Sequence, residues 1–168
     1  QAELANGFGN LASRVIAMVI KYFDGAIPAV ELDATITDLE KRVTDAADTA
    51  IDAFAINEAL SSIWQLVDAL NLYITENEPW ALAKDPEKRA RLETVLATAV
   101  HGLGTLAILL SPVLPKATAR LWAALGAPGA VDEQRVDMAW QFVGGAAVTA
   151  LETSLFPRIE TTEDAPTA

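Results

Sequence analysis

Asn10 and Arg14 stand four residues apart in the first helical stretch, so one turn brings their polar ends to a common ligand. An amide that donates and accepts, beside a five-donor guanidinium, suits a base edge and its phosphate. The same spacing also suits an ordinary solvent face. Trp80 follows Pro79 where another helix must end. A ring on a rigid bend is a stacking platform for an unpaired base. The alternative is a core tryptophan, as Trp64 is in its periodic apolar stripe. The two pairs share one kind of partner: single-stranded nucleic acid.

Other chemistries find less support. With no cysteine and a single histidine, His101, the chain has no thiolate, His₂ or His₃ metal centre and no disulfide. His101, flanked by Val100 and Leu103, reads as a partly buried helix histidine without a partner to act on. Asp45, Asp48 and Asp52 share a helix face, but hard-cation sites draw ligands from more than one element, so they read as a solvated acidic surface. There is no Gly-rich phosphate loop, no Gly-x-Ser-x-Gly elbow and no Glu-x-x-His pair. No catalytic constellation, metal site or cofactor site is expected in this chain.

Helical periodicity positions these residues. Leu4, Phe8, Leu11, Val15, Val19 and Tyr22 make one apolar stripe, with Glu3, Gly7, Asn10, Arg14 and Lys21 nearly opposite. Asp24-Gly25-Ala26-Ile27-Pro28 stops this helix. A second helix is predicted from near Asp33 to Phe54, with Ile36, Leu39, Val43, Ala47, Ala50, Ile51 and Phe54 facing inward. Asn57 is the expected N-cap of a third, carried by Leu60, Ile63, Trp64, Val67, Leu70 and Ile74. Asp85-Pro86 opens a fourth, buried through Leu92, Val95, Leu96, Ala99, Leu103, Leu106 and Leu110. Pro112 and Pro115 precede a short fifth helix, Lys116 to Leu125, closed by Gly126. Residues 126–150 are open between strand and loop around Trp140, and 161–168 reads as a disordered tail. The expected fold is all-α, a bundle of about five main helices.

The 168 residues are 52% hydrophobic, enough for one domain with a real core and too apolar for disorder. The most apolar run, Leu103 to Leu114, contains Ser111 and Pro112 and falls short of the roughly 20 residues of a bilayer span. Opening on Gln1 without a charged-then-apolar leader, the chain is expected to be a piece of a longer cytoplasmic protein. Its net charge of −11 argues at first against nucleic acid. The acid is local, however. Residues 31–78 set eleven acids against Lys41 and Arg42, residues 1–30 are neutral, and 79–125 carry a surplus of three bases. Recognition by stacking and base edges needs few phosphate pairs, so the charge narrows the binding mode to a small site with shallow salt dependence.

Four segments resemble one family in order and spacing. Leu4-Ala-Asn-Gly-Phe-Gly-Asn-Leu-Ala-Ser-Arg14 is similar to the opening helix of the anticodon-binding domain of bacterial-type methionyl-tRNA synthetases, class I enzymes. Asn77-Glu-Pro-Trp-Ala-Leu-Ala-Lys84 resembles that family's Pro-Trp bend, and Leu109-Leu-Ser-Pro-Val-Leu-Pro115 its proline-punctuated helix junction. Leu155-Phe-Pro-Arg-Ile-Glu160 resembles the segment that folds back towards the catalytic core. The resemblance implies a domain over 1–150, a returning segment at 151–160 and a tail at 161–168. It implies that Trp80 stacks on the first anticodon base, a cytosine, that Asn10 and Arg14 hydrogen-bond around it, and that Pro79 fixes the bend. The implied partners are methionine tRNA and an N-terminal catalytic domain that charges it with methionine, using ATP with Mg; the motifs for those steps do not occur here. Neither membrane nor DNA is an implied partner. A competing expectation is an acidic helical module that binds a basic protein through residues 31–78.

Overall fold

Fifteen of the residues in the helix Arg89–Leu110 are buried, and this helix (α5) is the axis around which the others pack. From Val95 to Leu110 only His101 and Leu109 keep partial exposure. The stretch Pro86–Leu110 is long and apolar enough to cross a membrane by length and composition, but its most apolar window is 78% buried inside the bundle, so its hydrophobicity is that of a core helix. The structure, a computed structural model, describes residues 4–136 and 147–157. Around α5 lie α1 (Asn10–Phe23), α2 (Ala34–Asp52), α3 (Ile56–Asn77) and α6 (Pro115–Ala124), with α4 (Pro79–Leu82) a single turn. Among the described residues the only β-pairing is an isolated antiparallel bridge, Ala26 to Ala147. The bundle of five main helices agrees with the periodicity.

Capping explains most boundaries. Asp33 caps α2, its side chain accepting from the Thr35 N–H at 3.1 Å. Asp85 accepts from Glu87 at 3.1 Å and opens a 3₁₀ turn, Pro86–Lys88, that leads into α5. The end of α1 differs from expectation: Asp24, not only Gly25, is left-handed, with φ 57°. Gly25 is needed for a different reason. Its carbonyl accepts from Val148 N–H at 2.8 Å, and a Cβ there would sit 2.8 Å from the Val148 oxygen.

Three expectations are corrected. Asn57 is not the N-cap of α3; Ala55 takes that place and makes no side-chain cap. The turn between α2 and α3 is too tight to leave Asn57 outside, because Ala55 N–H already reaches back to the Ala50 carbonyl at 2.8 Å. Ile51 and Phe54 do not face inward either: they are 48% and 91% exposed. Phe54 is left-handed, φ 58°, which turns its ring out of the α2 stripe. Gly7 leaves the polar face of the first helix, since Leu4–Gly9 is π-helical and its longer turn rotates Gly7 towards Trp64 and Val67 of α3. Trp140 and residues 158–168, on which other expectations fall, lie outside the described residues.

Polar contacts tie α2 to its neighbours at two places. Buried Glu40 of α2 receives His101 of α5, whose Nδ1 lies 3.0 Å from both carboxylate oxygens. The partial burial of His101 is as expected, but its lack of a partner is corrected: it pairs with Glu40 within the packing between α2 and α5, as buried polar groups must. At the other end of α2, the Tyr73 hydroxyl donates to Asp33 Oδ2 at 3.2 Å, while Asp33 N–H donates to the Thr98 hydroxyl at 2.9 Å. Burial alone would raise the Asp33 carboxyl, but the donors on Thr35, Arg91 and Tyr73 outweigh it and hold it below its ordinary value.

Burial and the Asp33 charge push the Tyr73 phenol in the opposite sense, up to about 12. A tyrosine raised from an unfolded value of about 10 contributes stability that is complete below about pH 10 and lost as pH rises towards 12. Urea midpoints of the chain are therefore expected to fall across that interval, and Tyr73→Phe to fall less steeply. Parallel losses in the two proteins would overturn this.

Candidate nucleic-acid interface

Leu11, Ala12, Val15, Ile16 and Val19 are buried along one side of α1, which leaves Asn10, Ser13, Arg14, Ala17 and Lys21 on the other. Asn10 and Arg14 are therefore exposed neighbours one turn apart, as expected. Among the described residues, neither side chain makes a hydrogen bond or an ion pair. Their donors and acceptors face solvent.

The start of α1 is held from two sides. Asn71 of α3 donates its amide to the Gly7 carbonyl at 3.3 Å and to its own Val67 carbonyl at 3.0 Å. Phe8, fully buried, meets the Phe156 ring at 6.2 Å between centroids and a 52° tilt. Phe156 lies in residues 147–157, which Arg120 of α6 grips through the Thr153 carbonyl and hydroxyl, each at 2.7 Å. Asn71 was not singled out from sequence. An asparagine inside a helix, where its propensity is poor, was the available clue.

Trp80 sits where α3 breaks. The last α3 residue is Asn77; Glu78 is left-handed, φ 44°, and its N–H closes on the Ile74 carbonyl at 3.2 Å. Pro79 begins α4 and is buried, its fixed φ suiting a first helical position. Trp80 is the next residue, 40% exposed, and among the described residues its indole has no ring contact and no hydrogen bond. It is the exposed alternative, not the core one: Trp64 is partly buried against the core, while Trp122 is buried and donates its Nε1–H to the Pro128 carbonyl at 3.1 Å.

Among the described residues, no hydrogen bond, ion pair or ring contact joins the two halves of the candidate site. Both are mounted on the same half of α3. Asn71 anchors the Asn10 end and Asn77 precedes the Trp80 bend, six residues or about 9 Å apart along the axis. Separately, an exposed aromatic face has the chemistry for stacking, and an amide beside a guanidinium has the chemistry for base-edge hydrogen bonds. Asp45, Asp48 and Asp52 are all exposed, as a solvated acidic face would be.

Comparisons with known proteins identify the family. Residues 24–166 match the family described as the anticodon binding domain of methionyl tRNA ligase, a stretch that includes Pro79 and Trp80 and begins after Asn10 and Arg14. The methionine–tRNA ligase of Streptomyces coelicolor is 41% identical over 174 residues, covering 95% of this chain and 32% of that protein. That of Listeria monocytogenes is 34% identical over 170 residues, covering 94% of this chain and 25% of that protein. The chain thus spans a quarter to a third of the length of these relatives. Among solved structures, the free form of Mycobacterium tuberculosis methionyl-tRNA synthetase superimposes with a TM-score of 0.84 at 29% identity, covering 95% of this chain and 33% of that one. The same enzyme in complex with methionyl-adenylate gives 0.83, also at 29% identity, covering 93% of this chain and 31% of that one. An all-α bundle with a Pro-Trp bend, matched over 143 of its 168 residues, leaves one conclusion: the chain belongs to the anticodon-binding domain family of methionyl-tRNA ligases.

Proposed function

We propose that this chain binds the anticodon loop of methionine tRNA, with Trp80 as the stacking platform for the first anticodon base and Asn10 and Arg14 hydrogen-bonding around it. The observation that carries the reading is the Trp80 indole, 40% exposed and, among the described residues, without a hydrogen bond or ring contact, on a bend fixed by buried Pro79. Residues 1–150 form the binding domain. Residues 151–160 are the segment that returns towards a catalytic domain elsewhere in the protein, and 161–168 a tail. Charging with methionine, using ATP and Mg, belongs to that other domain, in the cytoplasm. This chain's part is to select the tRNA and to raise its effective concentration at the distant site.

Titrating the chain with an anticodon stem-loop and with a scrambled loop of the same length tests the reading. The native loop should bind tighter. Equal affinities would instead support the acidic interaction module, for which the exposed Ile51, Phe54 and Ile56 beside Asp52 and Glu58 are the supporting observation. Arg14→Gln is expected to cost about tenfold in affinity for a loop with cytosine at the first anticodon position, and less for other loops, since a base-edge contact is worth on the order of 1–3 kcal/mol. Equal losses across all first-base variants would remove Arg14 from base reading.

A further inference from the structure

Among the described residues the 40%-exposed Trp80 indole makes no hydrogen bond and no ring contact, so no directional contact of its own fixes it and the backbone of residues 77–82 sets where it is presented. Downstream, α4 is a single turn closed by Ala81 N–H and Leu82 N–H on the Glu78 carbonyl at 2.7 and 3.1 Å. Upstream, the chain must break at Glu78, because a proline at 79 disfavours the right-handed helical conformation in the residue before it. The break could run into extended or left-handed backbone, and left-handed is the costlier for a glutamate. Something has to hold the last turn of α3 in register so that Glu78 N–H still meets Ile74. Helix ends otherwise fray.

Arg91 of α5 occupies that position. Its Nε and Nη2 both donate to Asn77 Oδ1, the former at 3.2 Å, and its Nη1 donates to Asp33 Oδ2 at 3.2 Å. Asn77 in turn donates its amide to the Tyr73 carbonyl at 2.9 Å, and the Tyr73 hydroxyl returns to Asp33. The Arg91 guanidinium also lies 6.0 Å from the centre of the Tyr73 ring. The contacts close a loop over three elements: Arg91 on α5, Asn77 and Tyr73 on α3, and the cap of α2. Asp33 is fixed independently by its N–H on buried Thr98. A planar fork reaches both acceptors at once, which a single ammonium does not.

We propose that Arg91 is a positioning residue for Trp80: by clamping Asn77 to Asp33 it locks the last turn of α3 and sets the Pro79–Trp80 bend in its stacking orientation before RNA arrives. The role rests on the anticodon reading of Trp80 for its functional meaning, but the positioning itself is a property of the free chain. A platform that is already ordered loses less entropy on binding, so the clamp acts on affinity without touching RNA.

The test uses the whole chain labelled with 5-fluorotryptophan, the Trp80 resonance being the one absent in Trp80→Phe. In Arg91→Ala that resonance should shift or broaden while those of the other three indoles stay in place, and stem-loop affinity should fall about tenfold, ~1.4 kcal/mol. Arg91→Lys should restore less than half of that loss on a logarithmic scale. Asn77→Ala should reproduce Arg91→Ala, and the double variant should add nothing. An unmoved Trp80 resonance in a folded Arg91→Ala chain overturns the proposal. So does a simultaneous shift of all four resonances, which would mark a general loss of packing. If the Trp80 resonance responds while Arg91→Ala and Trp80→Ala both leave stem-loop binding unchanged, the anticodon reading fails and the clamp stands.

Discussion

Trp80→Ala is expected to weaken binding of a methionine anticodon stem-loop by roughly 5- to 150-fold while leaving helicity and melting temperature close to those of the parent. The size comes from base-on-aromatic stacking, which contributes on the order of 1–3 kcal/mol per base. The separation of affinity from stability comes from the site. The indole is 40% exposed and touches no other ring, so removing it leaves no cavity in the core and no orphaned donor. The bend survives, because it is set by Pro79, by the Glu78 N–H on Ile74 and by the clamp upstream. Trp80→Phe keeps a smaller ring in the same place and should lose less. Titration followed by circular dichroism on the same samples checks both halves of the expectation. An unchanged affinity in a folded variant would sink the stacking role. A loss that accompanies unfolding would make Trp80 a structural residue.

That expectation was accessible from sequence because Trp80 stands outside the repeat of α3 and directly after a proline, two facts that need no tertiary information. Asn10 and Arg14 were accessible in the same way, lying opposite an apolar stripe. The core of α5 was legible as well, since nearly every position from Val95 to Leu110 is apolar and only the central helix of a bundle tolerates that. The failures have physical causes. Ile51 and Phe54 continue the α2 stripe by count; the left-handed backbone at Phe54 turns its ring away, with no local residue such as glycine to announce it, while Ile51, in the last turn of α2, is 48% exposed. His101 reads as a histidine without a partner because Glu40, which it meets across the bundle, stands sixty-one positions earlier. The Arg91 clamp joins residues 33, 77 and 91 across three elements, and each is unremarkable in its own segment. Pairings of that kind are set by how helices cross, which periodicity does not encode. What holds the site in place was therefore hidden, while the groups proposed to touch the ligand were in view.

Gly126→Ala is expected to be the most destabilising of the exposed substitutions, because two separate penalties meet at one position. α6 ends in a Schellman arrangement: Ala127 N–H reaches the Trp122 carbonyl at 3.2 Å and Gly126 N–H the Ala123 carbonyl at 3.0 Å. That geometry places Gly126 at φ +68°, which costs a residue with a Cβ roughly 1–2 kcal/mol. The second penalty is contact. A Cβ at 126 would press into the Ala147 carbonyl oxygen, a backbone atom that cannot swing aside as a side-chain tip can. Relief requires moving the segment 147–149, which is fixed by Val148 N–H on the Gly25 carbonyl and by Thr149 N–H on the Ala124 carbonyl, both at 2.8 Å. Overpacking of this kind adds about 1–3 kcal/mol, so the total is about 2–5 kcal/mol, a fall in melting temperature of roughly 5–15 °C for a chain of this size. Asn at 126 tolerates the left-handed backbone and should recover only the conformational part. The damage should also be directional. Residues 147–157 carry buried Val148 and Leu155 and the Phe156 ring that closes over Phe8, so early proteolysis is expected there and not in α5. Loosening Phe156 frees the start of α1 immediately before Asn10, and a modest loss of stem-loop affinity should follow. A melting temperature within about 1 °C of the parent would show that the segment 147–149 yields without cost, and cleavage spread evenly along the chain would break the proposed link from residues 147–157 to the Asn10 end of the site.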